Sequence, residues 1–179
     1  MPRFPVPRTA LAGVLAVLVA SAALAAEPAS SGAGFSAGLT VRPGASAGDI
    51  GLPVYPGATP WREDGEDSPG AGINLWGGAF GLQLFVLKLR APDNVDNVAR
   101  FYREAMSRQG RLIDCSAGTP AEPPPAAGDS KLLRCDSDRA KPGGRLFKVG
   151  LPGGVRMVAI EPAGGGSKVQ LLRLMLRGD

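Results

Sequence analysis

The sequence contains no histidine among its 179 residues. This absence excludes Ser-His and Cys-His nucleophile systems, imidazole general acid–base catalysis and the usual zinc sites. An enzyme of this composition would have to use carboxylates, a Ser-Lys pair or a tyrosine. We therefore expect no catalytic constellation, no metal site and no cofactor.

Phosphate-binding loops are also missing, although the chain has 26 glycines. Neither Gly70-Ala71-Gly72 nor Gly166-Ser167-Lys168 follows a predicted strand and opens a helix. Dinucleotide and P-loop sites need that arrangement, because the phosphate sits on the first turn of the helix. The pattern excludes nucleotide binding of these kinds.

Charge is scarce at the N-terminus, where Arg3 and Arg8 are the only charged residues among the first 26. An apolar run follows, and small residues end in Ala23-Leu24-Ala25. This order is typical of a secretory signal peptide, which we place at residues 1–25. The run is shorter than the roughly 20 apolar residues of a spanning helix, so we expect cleavage and no transmembrane anchor.

The composition after cleavage bears on location and partner. Arginine, alanine, glycine and proline are frequent, as in GC-rich bacterial genomes, so we expect a periplasmic or secreted bacterial protein. Without Arg3 and Arg8, 18 basic residues face 16 acidic ones, a net charge of +2. A net charge this small does not indicate binding to nucleic acid.

The chain has two cysteines, Cys115 and Cys135. In an oxidising compartment a lone pair of cysteines usually bonds, so we predict a disulfide between them. Their spacing is far from Cys-x-x-Cys, which disfavours a redox role.

Three regions are predicted along the chain. After the signal peptide, residues 26–49 are rich in small residues and have too little apolar area to offset the cost of ordering, which predicts a flexible linker. Residues 50–179 are then expected to form a single domain. We see no internal repeat.

Apolar patterns in this domain predict several strands and one helix. The strongest strand is 82–90, apolar on both faces and therefore expected inside the sheet. Asp93 is expected to cap a helix that runs to about Gln109 and ends at Gly110, with Asp96 completing a capping box. The apolar side chains of that helix are Val95, Val98, Ala99, Tyr102, Ala105 and Met106. The other predicted strands are 73–76, 112–115, 131–135, 145–149, 155–161 and 169–176.

Residues 151–154 and 163–166 are expected to be hairpin turns. The predicted fold class is α+β: a mostly antiparallel sheet of about five to seven strands, with one amphipathic helix packed on one face.

Four residues are candidates for binding. Trp61 and Trp76 flank the acidic run 63–67, and tryptophans beside loops can stack on sugars or anchor a partner. Arg100 and Arg103 lie on the polar side of the predicted helix, where they can contact anionic groups. The acidic run itself lacks the spacing of an EF-hand.

Three functions remain open. The first is a non-enzymatic domain that binds an envelope protein, an envelope polymer or a small ligand. The second is a carboxylate-dependent hydrolase-type enzyme using Asp114, Asp136 or Asp138, since paired carboxylates can act as acid and base. The third is a structural accessory protein of an envelope complex, held through the arginines of the helix.

Two segments carry a resemblance, Leu52-Pro-Val-Tyr-Pro-Gly-Ala58 and Val98-Ala-Arg-Phe-Tyr-Arg-Glu-Ala105. The chain resembles a group of uncharacterised bacterial exported proteins that share a P-x-Y-P-G-A opening, a strand and a helix with Phe-Tyr-Arg before a glycine. The resemblance implies a domain from about Ile50 to the C-terminus and implies no activity or site. Tyr102 is expected to pack on the sheet, with Phe101 at the margin of the helix.

Overall fold

The computed structural model describes residues 36–62, 68–119, 133–135 and 138–178. Eight strands and two helices are found in these residues. The strands are β1 (Ala37–Pro43), β2 (Thr59–Pro60), β3 (Gly70–Gly77), β4 (Phe80–Ala91), β5 (Leu112–Asp114), β6 (Arg145–Leu151), β7 (Gly154–Ala163) and β8 (Gly166–Arg177). The helices are α1 (Ala47–Ile50) and α2 (Val95–Ser107).

All strand pairs of this sheet are antiparallel, in the order β1-β3-β4-β8-β7-β6-β5, with β2 beside β4. The predicted α+β fold with a mostly antiparallel sheet is confirmed, with eight strands where five to seven were expected. Strand β4 lies inside the sheet between β3 and β8, as its apolar run predicted. The two predicted turns connect β6 to β7 and β7 to β8, each through two residues.

Helix α2 packs its apolar side on the sheet, as its periodicity predicted, with Val98, Ala99, Tyr102 and Met106 buried. Its ends differ from the prediction. The N-cap is Asn94 rather than Asp93, because the Asn94 side chain accepts the Asn97 amide at 3.0 Å. Asp96 makes no capping box and pairs with Arg145 at 2.8 Å. The helix ends at Ser107, before Gly110.

The core consists of two clusters on opposite sides of the sheet. Neighbouring residues of a strand point to opposite faces, so Phe147 and Leu146 belong to different clusters. The larger cluster lies on the face that both helices cover, which we call the inner face. The smaller one lies on the other side, the outer face, beneath the segment around the disulfide.

Residues 26–49 were predicted to form a flexible linker, but the second part of this segment forms secondary structure. Strand β1 pairs with β3 along seven residues, and α1 begins at a capping box formed by Ser46 and Asp49. This order comes from partners distant in sequence, which composition does not reveal. An ordered segment therefore precedes Ile50, and Ile50 itself is fully buried in the inner core.

The two segments that carried the resemblance contact each other. The Tyr55 amide donates to the Tyr102 hydroxyl at 3.3 Å, and the Phe101 ring lies edge-on to both tyrosine rings. The Tyr55 hydroxyl donates to Asp93 at 2.6 Å, and this hydrogen bond, with burial, raises the pKa of Tyr55. The turn 55–58 closes through the Ala58 amide, with Gly57 at a φ of 75°. The opening segment is thereby fixed onto α2.

One predicted strand is not a strand where it is described. Of 131–135, residues 133–135 are irregular, and 131–132 lie outside the described residues. Leu133 and Cys135 are nevertheless buried on the outer face, because the disulfide holds this segment against β5 and β6. Within the residues described, no helix is long and apolar enough to cross a membrane.

Candidate binding surface

The outer face of β1, β3, β4 and β8 carries a continuous apolar surface. The register places Leu84 of β4 opposite Ile73 of β3 and Leu174 of β8, and the same alternation repeats along each strand. We call this set the apolar surface: Leu39, Val41, Ile73, Leu75, Phe80, Leu82, Leu84, Val86, Leu172, Leu174 and Leu176.

Part of this surface is open to solvent, and its other six side chains are partly buried. Of the seven large apolar side chains exposed in the described part of the chain, five belong to it, with Leu39 64% and Val41 63% exposed. Both helices pack on the inner face, so neither covers it. Soluble proteins rarely expose a contiguous apolar patch of this kind unless it binds something.

The disulfide explains why the other half of the outer face is covered. Cys115 follows β5 and is bonded to Cys135, as predicted, with the two Cα atoms 5.3 Å apart. Leu133 and Cys135 pack on Ile113 and Leu146, which belong to the outer face of β5 and β6. The covered half of the outer face borders the apolar surface at Leu174, which packs against the smaller cluster.

Beneath the covered half lies a buried ammonium group. Lys148 is 2% exposed, and its Nζ donates to the Arg134 carbonyl and to Asp138 Oδ2 at 2.8 Å. This ion pair fixes the segment over β6 together with the disulfide, and it points to a structural role for Asp138.

Charged residues gather at one end of the apolar surface. They line a pocket of about 190 Å³ on the outer face, formed mainly by Trp61, Lys88, Lys141, Glu161, Lys168 and Gln170. We call this the lysine pocket. Lys88 lies two residues from Val86 on the same face of β4, and Gln170 lies two residues from Leu172 on β8. The pocket and the apolar surface are therefore continuous.

Trp61 is one wall of the lysine pocket. Its backbone amide donates to the Lys88 carbonyl at 3.0 Å, and the Lys168 Nζ lies 4.1 Å from the centre of its ring. Glu161 pairs with Lys141 at 3.0 Å, so the pocket has three lysines and one carboxylate. The sequence suggested Trp61 but gave no sign of its lysine neighbours, which come from three different strands or loops.

Trp76 lies elsewhere. It is on the inner-face side of β3, half-exposed, opposite Gly38, whose position leaves no room for a Cβ beneath the indole ring. It lines a cavity of about 460 Å³ near the β3–β4 turn. The lining also includes Gln83, Arg173 and four members of the apolar surface, Leu75, Phe80, Leu82 and Leu176. The structure therefore does not bring the two tryptophans together.

Arg100 and Arg103 are on α2, on the opposite side of the sheet from the apolar surface. Arg103 is engaged within the domain, since it pairs with Asp114 at 2.7 Å and lies 5.0 Å from the centre of the Phe147 ring. Arg100 is exposed, and its charge acts to lower the pKa of Tyr55 against the larger opposing effect of Asp93. Both arginines are exposed, and Arg103 is in addition held by its ion pair with Asp114.

The candidate carboxylates do not form a pair. Asp114 is on the inner-face side of β5 with Arg103, whereas Asp138 pairs with Lys148 on the outer face. Asp136 and the acidic run 63–67 lie outside the described residues. No group of three or more carboxylate or cysteine side chains that would hold a metal is found in the residues described.

A pair of arginines on the inner face also has a structural role. Arg156 and Arg173 are neighbours across β7 and β8, and they donate to the carbonyls of Ile50 and Asp49 at the end of α1. Burial, together with the nearby charge of Arg173, lowers the pKa of Arg156. These hydrogen bonds hold α1 on the sheet.

Comparison of the chain with protein-family models, with curated proteins and with solved structures found no match. The resemblance to a group of bacterial exported proteins remains a prediction. The geometry of the apolar surface and the lysine pocket is therefore the basis for a functional proposal.

Proposed function

We propose that this chain is an exported, non-enzymatic binding domain whose ligand docks on the apolar surface. The observation that carries the proposal is the open outer face of β1, β3, β4 and β8. Burial of apolar area stabilises a complex by roughly 25 cal/mol per Å², so an open face of this size is a large potential source of affinity. Export is supported by the N-terminal pattern and accords with the disulfide.

The two alternatives have less support. A carboxylate-dependent enzyme would need two acidic groups near one another, and Asp114 and Asp138 lie on opposite faces. An accessory protein held by the arginines of α2 would need both of them free, and Arg103 is paired within the domain. Neither offers a surface comparable to the outer face.

Binding of a neutral fluorescent probe such as Nile red tests the proposal. Leu84→Gln places an amide at the centre of the apolar surface, between Ile73 and Leu174. We expect the probe to bind the natural protein and to bind this variant at least tenfold more weakly, since a buried leucine contributes about 2 kcal/mol.

Val54→Gln is the matched control, because Val54 is 43% exposed in the segment between α1 and β2, away from the outer face. It should bind the probe like the natural protein. Equal binding by all three proteins, or no binding by the natural protein, would contradict the proposal. Melting curves of each variant separate loss of binding from loss of folding.

A further inference from the structure

We infer that the chain forms a symmetric dimer in which the β1 strands of two copies pair edge to edge. The two sheets then form one continuous sheet, and the two-fold axis passes beside Thr40 of each copy. The inference does not depend on the proposed function, because it concerns the edge of the sheet. Three features of β1 carry it: its open edge, its exposed side chains and its self-complementary register.

Strand β1 lies at one end of the sheet, and among the residues described only β3 pairs with it. The Gly44 amide donates to the Gly70 carbonyl at 2.9 Å, and these two residues continue the register of β1 and β3. Backbone hydrogen bonds of an antiparallel pair alternate along each strand. Every second residue back from Gly44 therefore bonds to β3, whereas Leu39 and Val41 direct their amide and carbonyl groups away from the sheet.

This edge has few of the features that keep exposed strands from pairing, which are bulges, very short strands, charges and prolines. The register with β3 is continuous over seven residues, so no bulge interrupts it. The one charged side chain of the strand, Arg42, turns back over the sheet. Its Cζ lies 5.6 Å from the centre of the Phe85 ring, and it pairs with Asp49. Pro43 has no amide hydrogen, but it affects only the last position of the strand.

The chain that follows β1 leaves this edge open. Helix α1 contacts β4 and β8, so the chain after Pro43 turns back over the inner face and does not run past β1. On the outer face, Leu39 and Val41 are 64% and 63% exposed, the highest values for large apolar side chains in the described residues. A strand added at this edge gains apolar contacts with both.

A second copy fits the edge because β1 is complementary to itself. When Thr40 lies opposite Thr40 of the second copy, Leu39 lies opposite Val41 of the second copy, and the reverse pair follows by symmetry. These residues direct their backbone groups to the open edge, so each such pair makes two hydrogen bonds. The paired threonines add to the stability of the sheet, and the apolar pairs bury area that is exposed in the monomer.

The ends of the strand also match in this register. Pro43 lies opposite Ala37 of the second copy, so its missing amide hydrogen removes only one hydrogen bond at each end. Arg42 lies opposite Gly38 of the second copy, so the two arginines do not face each other. These matches come from the sequence of β1 alone, which favours a second copy over a strand of another protein.

The dimer joins the outer faces of the two copies. A two-fold axis that relates antiparallel neighbours in one sheet runs perpendicular to the sheet, so the same face of each copy points to the same side. The interface is isologous, as in most two-fold dimers. The two apolar surfaces then meet at Leu39 and Val41.

Sedimentation velocity of the mature exported chain across a dilution series tests the inference. We expect a concentration-dependent equilibrium between monomer and dimer. Val41→Pro removes an amide hydrogen that points away from β3, and edge strands tolerate proline at such positions, so the fold should be retained. The change removes two hydrogen bonds from each dimer, and the dissociation constant should rise at least tenfold. Circular dichroism checks that the variant is folded.

Leu84→Gln keeps this inference separate from the proposed function. Leu84 is on β4, two strands from the open edge, so this variant should dimerise like the natural protein although it binds the neutral probe weakly. Val41→Pro should show the opposite behaviour and bind the probe as a monomer. Loss of the dimer in Leu84→Gln would show that the outer faces pair with each other, and this would overturn edge pairing.

An introduced cysteine tests the register. Opposite residues in a non-hydrogen-bonded antiparallel pair have Cα atoms about 4.5 Å apart, which is within reach of a disulfide. Both natural cysteines are already bonded to each other. Thr40→Cys should therefore give a disulfide-linked dimer under mild oxidation. Ser36→Cys is the matched control, because residue 36 is also exposed but lies about 26 Å from its counterpart at roughly 3.3 Å per residue.

Two results would overturn the inference. One is a monomer at every concentration, with no more crosslinking of Thr40→Cys than of Ser36→Cys. The other is a dimer that a folded Val41→Pro variant leaves unchanged. The cysteine comparison does not depend on the folding of Val41→Pro. The proposed function stands in either case, because probe binding requires only the outer face of one copy.

Discussion

The buried ion pair between Lys148 and Asp138 allows a sharp test of the structure. Lys148 is 2% exposed, whereas the Asp138 side chain is 54% exposed, and the two are 2.8 Å apart. Removing one partner of a buried pair commonly costs about 3–5 kcal/mol, because the remaining charge is left without compensation. In Asp138→Asn, water can approach from the Asp138 side and the Arg134 carbonyl remains as an acceptor. We therefore expect a loss of about 2 kcal/mol.

Lys148→Met should behave differently. The methionine fills a similar volume and brings no charge into the interior, so the free energy of unfolding should stay within about 1 kcal/mol of that of the natural protein. In the Lys148→Met background, Asp138→Asn should cost almost nothing, because no ammonium group is left unpaired. The coupling energy of the double-mutant cycle should be about 2 kcal/mol.

Urea unfolding of the four proteins with the disulfide intact measures these free energies. Circular dichroism reports the sheet, and tryptophan fluorescence provides a second probe. A coupling energy near zero would refute the placement of Lys148 beneath the segment that Cys135 anchors. A large loss in Lys148→Met alone would refute the claim that packing there tolerates a neutral side chain.

Two further predictions concern the core and export. Burial raises the pKa of Tyr102 to about 12, so folding favours the neutral form of its side chain. The stability that this contributes is complete below pH 10 and should fall by about 2 kcal/mol as the pH rises to 12. Tyr102→Phe should not show this part of the loss of stability at alkaline pH. Urea unfolding at pH 9 to 12 would detect the difference, and equal losses of stability in the two proteins would contradict the prediction. Mass analysis of the exported protein should give a first residue at Ala26 or Glu27, and a start at Met1 would refute the signal peptide.

The sequence predicted the elements whose patterns are local. The 3.6-residue repeat of α2 identified its buried side, and the glycine turns identified the β6–β7 and β7–β8 hairpins. Strand β1 was missed because Ala37–Pro43 has few apolar residues and is ordered by pairing with β3, a partner distant in sequence. The N-cap of α2 was placed one residue early because Asp93 and Asn94 are both good capping residues, and only the backbone distinguishes them.

The candidate surface shows the same limit. The apolar residues on both faces of β4 predicted a strand inside the sheet, which is confirmed, but they did not indicate that its inner face is the more deeply buried one. Whether a second layer covers a face depends on where distant segments pack, and the pattern of one strand carries no such information. Trp61 was suggested by residue type alone, whereas Lys88 and Lys168 join it only through the β4–β8 pairing.

The alternation along β4 also separates two evolutionary pressures. Leu87 is buried in the inner core, whereas its neighbour Val86 is partly buried on the outer face. Under the proposed function, selection for a stable domain and selection for a ligand act on alternate residues of the same strand. The ligand preference of such a domain can drift or be redesigned through its even-numbered β4 positions with little effect on the fold.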